Sequence, residues 1–226
     1  VDRDTTLQHV RPRLGGERVF AVVFDLDGVL VDSFAVMQEA FAVAYAEVVG
    51  DGEAPFDEYR KHLGRYFPDI MRIMGLPLEM EEPFVRESYR RAGQVQLFDG
   101  VRELLADLSA LGVRMAVATG KSGPRARSLL DGLGVLPHFD HVIGSDEVPR
   151  AKPAPDIVQR ALELLGTPPQ RAVMVGDATT DLIAARGAGV TAVAATWGES
   201  DVDALLAEDP DAVVESPGEV LALVSR

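Results

Sequence analysis

Short runs rich in Val, Ala, Ile and Phe recur at 19–24, 114–118, 141–144, 172–175, 191–195 and 212–214, several of them closed by a glycine or an aspartate. Runs that are apolar throughout predict strands buried on both faces, as in a parallel sheet. Amphipathic stretches at 101–111, 123–133, 155–165, 179–188 and 201–207 lie between them. Strands alternating with helices predict repeated βαβ units and a doubly wound α/β sheet. One segment breaks the alternation: residues 34–96 carry helical patterning only, with candidate helices at 34–49, 55–63, 68–74 and 81–95. Its place directly after the first strand predicts an all-helical insertion at the carboxyl end of the sheet, where open α/β sheets bind ligands. The expected organisation is a loose tail at 1–17, a core made of 18–33 and 97–226, and a helical lid at 34–96.

Composition narrows the chemistry. At 226 residues, 47% of them hydrophobic and 26% charged, the chain suits one globular domain with a smaller insert. It has no cysteine, which excludes disulfides, thiolate metal sites and a cysteine nucleophile. A metal would therefore sit on oxygen or imidazole, and oxygen ligands favour a hard cation such as Mg²⁺. A formal net charge of -14 argues against a nucleic-acid partner, because such binding needs a basic surface. It also means that an anionic substrate needs a locally positive site. No apolar run approaches the ~18–20 residues that span a bilayer, and the first residues lack a signal-peptide pattern. The expected location is cytoplasmic, without a membrane partner.

Four clusters carry candidate chemistry. Asp25-Leu26-Asp27-Gly28 closes the first strand. In extended backbone, residues two apart point the same way, about 6.6–7 Å along the chain. Two carboxylates meeting there repel, pushing one pKa up and suiting them to nucleophile and general acid/base. Gly28 permits an immediate turn; an ordinary solvated Asp-Gly turn is the competing explanation. In Gly176-Asp177-Ala178-Thr179-Thr180-Asp181 both acids belong at the same sheet end, although helix capping alone would account for either. Thr119-Gly120-Lys121-Ser122, after another strand, offers a hydroxyl and amides to an anion, or merely a cap. Lys152 precedes Pro153, which keeps it out of a helix, while Pro155 suits the first position of the next one. Most lysines lie on the surface; the stiff proline frame argues for a positioned cation.

In this order, the clusters resemble the haloacid dehalogenase superfamily of phosphohydrolases. Asp25-Leu26-Asp27-Gly28-Val29-Leu30-Val31-Asp32-Ser33 is similar to its first motif, Thr119 to its second, Lys152 to its third, and Gly176-Asp177 with Asp181 to its fourth. The helical insert and the stretch at Thr196-Trp197-Gly198 resemble the phosphoglycolate-phosphatase-like subgroup. Residues 63–74 and 143–148 are similar to the phosphatases that accompany 3-amino-5-hydroxybenzoate biosynthesis in ansamycin-type antibiotic pathways. The resemblance implies that Asp25 attacks phosphorus, and that Asp27 protonates the leaving oxygen and later activates water. It implies that Gly28, Thr119, Gly120 and Lys152 hold the phosphate. It further implies that Asp25, the Asp27 carbonyl and Asp177 ligate Mg²⁺, with Asp181 supporting them. A carboxylate nucleophile is already ionised at pH 7 and needs no activating base.

Alternatives remain at this level. Asp27 argues against dehalogenation, since a departing halide needs no proton. A phosphosugar mutase of the β-phosphoglucomutase type keeps both aspartates, and Arg65 could clamp a second phosphate or a substrate carboxylate. A catalytically silent pathway scaffold is the rival from another class, although it would not require every motif position to be filled. Gly64, Arg65 and Tyr66 form the candidate specificity loop of the lid; packing inside the lid is the equally weighted role for Tyr66 and Phe67. His9, His62, His138 and His141 share no metal-ligand spacing, and Trp197 is expected to pack a loop near the site. The expected partner is a small phosphomonoester, and the expected assembly a monomer or homodimer.

Overall fold

The apolar runs become strands in a computed structural model that describes residues 19–198 and 200–224. The tail expected at 1–17 lies outside the described residues. β1 (Ala21–Phe24) leads to β2 (Val31–Asp32), to helices α1 (Phe34–Val48), α2 (Phe56–Arg60), α3 (Phe67–Met74) and α4 (Glu81–Arg90), and to β3 (Gln96–Leu97). The remainder alternates: α5 (Val101–Ala110), β4 (Arg114–Thr119), α6 (Gly123–Gly132), β5 (His141–Gly144), α7 (Asp156–Leu165) and β6 (Ala172–Gly176). Then come α8 (Thr179–Gly187), β7 (Thr191–Ala195), α9 (Val202–Ala207), β8 (Ala212–Val214) and α10 (Leu221–Val224).

Among the described residues, six strands form one parallel sheet in the order β5-β4-β1-β6-β7-β8. The order reverses between β1 and β6, and a crevice opens at the carboxyl ends of the strands at such a switch point. Phe24 lies level with Val117 on β4 and Val175 on β6, so the residues following these strands emerge together. The apolar runs serve two cores. Val22, Phe24, Met115 and Val117 enter one, whereas Ala21, Val23, Ala116 and Ala118 enter the other. That alternation explains why the strands carry apolar residues at every position.

Helices α1 to α4 close on a separate cluster that includes Phe41, Phe56, Tyr59, Phe67, Met71 and Phe84. The last candidate helix is shorter than the expected 81–95. It ends at Arg90, a 3-10 turn follows at Ala92–Gln94, and Val95 is extended. Gly93 in that turn is a poor helix former. β3 then pairs antiparallel with β2, Val31 opposite Leu97 and Asp32 opposite Gln96. The insert is thus clasped at its base by a short two-stranded ribbon.

Candidate active site

β1 delivers Asp25 into the crevice. The Asp25 amide donates to the Val175 carbonyl at 2.9 Å, continuing the ladder beyond the strand's last residue. Asp177 follows the end of β6, and Asp181 lies in the first turn of α8. The carboxylates of Asp25, Asp177 and Asp181 are buried, and each offers an oxygen within 4.8 Å of the others. Gly28 makes this possible. Its φ is +81°, and a Cβ there would stand 2.1 Å from Asp177 Oδ2, so another residue would meet both backbone strain and collision.

Lys152 lies buried beneath this cluster, next to a cis peptide bond with Pro153. Its ammonium donates to Asp25 Oδ1 at 2.9 Å, Asp181 Oδ1 at 2.6 Å and the Ala118 carbonyl at 3.0 Å. An ammonium has three donors, and all three are committed to protein acceptors. Lys152 is also absent from the cleft wall. In this arrangement it neutralises and orients the carboxylates. Asp181 is further held by the Ala178 amide at 3.1 Å. Among the described residues, Asp177 accepts only from Ser200 Oγ, at 3.1 Å.

Asp27 keeps different company. β1 ends at Phe24, and Asp27 forms an isolated bridge with Val31 rather than extending the strand. Ser33 Oγ donates to its Oδ1 at 2.5 Å, and Lys121 Nζ stands 3.2 Å from Oδ2. Its carboxylate is not one of the clustered three. Burial works to raise its pKa, yet Lys121, the Ser33 hydroxyl and Arg125 together hold it below the ordinary carboxylate value. Burial, opposed by Lys152 but aided by Asp181 and Asp27, raises Asp25 to about 7. Burial, with Asp25 and Asp181, raises Asp177 well above its ordinary value. Of the Asp25–Asp27 pair it is therefore Asp25 that is pushed up, and Asp177 shifts the same way, so a cation among these acids would favour their ionised forms.

The donor set fits a hard divalent cation. Three buried carboxylates face one ammonium, leaving about two negative charges to be compensated, and oxygen-only ligands suit Mg²⁺. Among the described residues, no histidine joins the group: His62 lies against Glu58 and His138 against Ser109.

Above the acids is a cleft, partly open to solvent, lined by Asp25, Asp27, Gly28, Gly120, Lys121 and Asp177 from the core. Thr119 is buried at the end of β4, and its Oγ1 accepts from the Lys121 amide at 3.1 Å. The insert closes over Gly120. A Cβ at Gly120 would lie 2.6 Å from the Arg65 carbonyl oxygen and 2.7 Å from that of Gly64. Thr180 Oγ1 donates to the Leu63 carbonyl at 3.5 Å. Gly64 and Arg65 line the cleft. Tyr66 does not: its hydroxyl turns to Glu81 Oε1 at 3.4 Å, within the insert. Trp197 packs as expected, with Nε1 donating to the Val29 carbonyl at 3.0 Å.

Sequence reasoning missed the functional weight of Lys121 and Arg125, which both line the cleft. Lys121 follows Thr119 at a strand end, a visible signal, but its pairing with Asp27 depends on the turn after β1. Arg125 occupies the first turn of α6, where a charged residue ordinarily faces water.

The sheet order and the acids at its switch point define a class, and comparison with known proteins agrees. The profile of the family described as "Haloacid dehalogenase-like hydrolase" matches residues 22–195. The chain belongs to that family and is an enzyme of it. It is 34% identical over 213 residues to "Probable phosphatase IndB" of Dickeya dadantii, covering 88% of this chain and 91% of that one. It is 34% identical over 191 residues to the phosphoglycolate phosphatase of Caulobacter vibrioides, covering 80% of each. The crystal structure of CbbY from Rhodobacter sphaeroides in complex with phosphate superposes with a TM-score of 0.78 at 27% identity, covering 92% of this chain and 100% of that one. No helix among the described residues is long and apolar enough to cross a membrane.

Proposed function

We propose that the chain is a magnesium-dependent phosphatase that hydrolyses a small phosphomonoester through an aspartyl-phosphate on Asp25. The observation that carries this reading is the anchoring of Asp25 at the cleft floor, one oxygen fixed by Lys152 and two further buried acids beside it. Asp25, the Asp27 carbonyl and Asp177 would hold Mg²⁺, with Asp181 in support, and the ion would supply charge neutralisation to the phosphoryl group and keep Asp25 ionised. Asp25 then forms a bond to phosphorus as the bond to the ester oxygen breaks, and Asp27 gives that oxygen a proton. In the second half, water attacks the same phosphorus and loses its proton to Asp27, releasing inorganic phosphate and restoring the Asp25 carboxylate. Since Lys121 and Ser33 hold the free Asp27 ionised, the donated proton has to be acquired as substrate binds.

The Thr119 hydroxyl and the amides of Gly28 and Gly120 are the proposed phosphate donors, with Lys152 acting beneath them on Asp25. Residues 34–96 act as the lid, excluding water when the Gly64–Arg65 turn rests on Gly120. The proposed substrate is a sugar, aminosugar or phosphoglycolate-like phosphate. The resemblance of residues 63–74 and 143–148 supports a place in 3-amino-5-hydroxybenzoate-dependent antibiotic biosynthesis. A phosphate-release screen over small phosphomonoesters, with Mg²⁺ against EDTA and with Asp25→Asn, tests the proposal. Release that needs Mg²⁺ and Asp25 but no bisphosphate activator is expected. Wild-type rates in Asp25→Asn would refute it, and an absolute need for a bisphosphate would point to a mutase.

A further inference from the structure

One charged group of the cleft acts on that chemistry only through its field at Asp27. Arg125 projects from the core helix α6 and is only 9% exposed. Among the described residues, its guanidinium makes no ion pair and no hydrogen bond. Its close neighbour is the Phe84 ring of the insert, whose centroid lies 5.3 Å from Cζ. Asp27, whose charge acts on it most strongly, is already committed to Ser33 and Lys121, and Tyr59, Tyr89 and Glu81 act only through the field. Arginine cannot escape burial by shedding its proton, as lysine can. Among the described residues no fully buried side-chain nitrogen lacks a partner, so its donors open onto the cleft. A largely desolvated cation with five forked donors and no protein acceptor is suited to receive an oxyanion there.

The surroundings say where that oxyanion would come from. Arg125 lines the main cleft and also an adjoining pocket, and the two share Ser33, Met37, Phe84 and Lys121. The guanidinium stands at their junction, beyond Asp27 and flanked by apolar side chains.

We infer that Arg125 is a specificity-determining residue that receives a second oxyanion, a carboxylate or a second phosphate, carried on the leaving group of the phosphomonoester. The apolar part of that leaving group lies against Met37 and Phe84. The inference rests on the phosphatase reading, because it takes the cleft floor as the phosphoryl site. The competing role for Arg125 is a latch, in which its stacking on Phe84 merely ties the insert to the core.

Calorimetric titration with non-hydrolysable phosphonates in Mg²⁺ separates these roles. The probes are phenylphosphonate, its 3- and 4-carboxy derivatives, and the corresponding phenylene diphosphonates. Wild type is expected to bind at least one doubly anionic probe roughly 10–100-fold more tightly than phenylphosphonate. Whether the carboxylate or the second phosphonate gains the advantage identifies the oxyanion. Arg125→Met should collapse the ratio to about 1, and Arg125→Lys should keep part of it, having charge without the fork. Because Arg125→Met removes an unpaired buried charge, its melting temperature should not fall. A wild-type ratio near 1, a ratio that persists in Arg125→Met, or equal weakening of all probes together with a lower melting temperature would overturn the inference. Hydrolysis of p-nitrophenyl phosphate, compared between wild type and Asp25→Asn, tests the phosphatase reading separately. If that reading fails while the Arg125-dependent ratio holds, the oxyanion site stands without it.

Discussion

Replacing Lys152 by methionine removes the one ammonium beneath the acid cluster while nearly preserving side-chain volume. Three hydrogen bonds vanish together, to Asp25, Asp181 and the Ala118 carbonyl. Two carboxylates, both almost inaccessible to solvent, are then left facing each other without a counter-charge. Breaking a buried ion pair by deleting one partner costs about 3–5 kcal/mol. For a chain of this size each kcal/mol shifts the melting temperature by about 2–4 °C, so Lys152→Met should melt roughly 6–20 °C below wild type in EDTA. Circular-dichroism melts of wild type, Lys152→Met, Asp181→Asn and the double variant measure this. The double variant should recover part of the loss, because removing an acid along with the lysine relieves the uncompensated charge. A fall of less than about 2 °C in Lys152→Met, or strictly additive losses in the double variant, would refute the compensating role of Lys152.

In EDTA, stability should decline as pH rises from the ordinary carboxylate range towards 7. Asp25, raised to about 7, holds its proton in the folded state after the unfolded chain has released it, so the folded form is favoured below this window and loses that advantage across it. Mg²⁺ should consequently stabilise the protein more at pH 8 than at pH 5 in thermal melts; equal shifts would contradict the cluster's electrostatics. Asp177→Asn removes the least compensated acid, so it should raise the melting temperature in EDTA by roughly 2–5 °C and abolish the shift caused by Mg²⁺. An undiminished Mg²⁺ shift would exclude Asp177 as a ligand. At Gly64, where φ is +84°, an alanine Cβ would stand 2.4 Å from Thr180 Oγ1 and 3.0 Å from Ala178 Cβ. Gly64→Ala should therefore lift the insert from the core and raise KM several-fold; wild-type kinetics would show that this contact does not control access.

Much of the fold is legible in the chain because parallel strands buried on both faces need apolar residues at every position, as in Ala172–Gly176. The insert is legible because aromatic and aliphatic residues recur at helical spacing from Phe34 to Phe84. The ribbon of β2 and β3 is not, since two residues a strand carry no period. In the site, acids at strand ends announce themselves, and Asp25, Asp177 and Asp181 do meet. Partnerships across the fold do not. Lys152 could be recognised as a positioned cation, but not as one whose donors are all consumed. Asp27 could not be assigned to Lys121 and Ser33, because that depends on where β1 stops and the chain turns. Tyr66 faces Glu81, and Arg125 faces the cleft rather than water, for reasons found only in the packing of the insert on the core.

The most direct test is where the phosphoryl group goes. In Asp27→Asn, Asp25 should still attack the phosphorus of p-nitrophenyl phosphate, whose leaving group needs no proton, but the variant should be slow to activate water. The protein is mixed with that ester and Mg²⁺, quenched in acid, digested and read by mass spectrometry. The account predicts one added phosphoryl group on the peptide containing Asp25, located at Asp25. Nitrophenol release with Asp25 unmodified throughout, or a phosphoryl group on any other side chain, would contradict it.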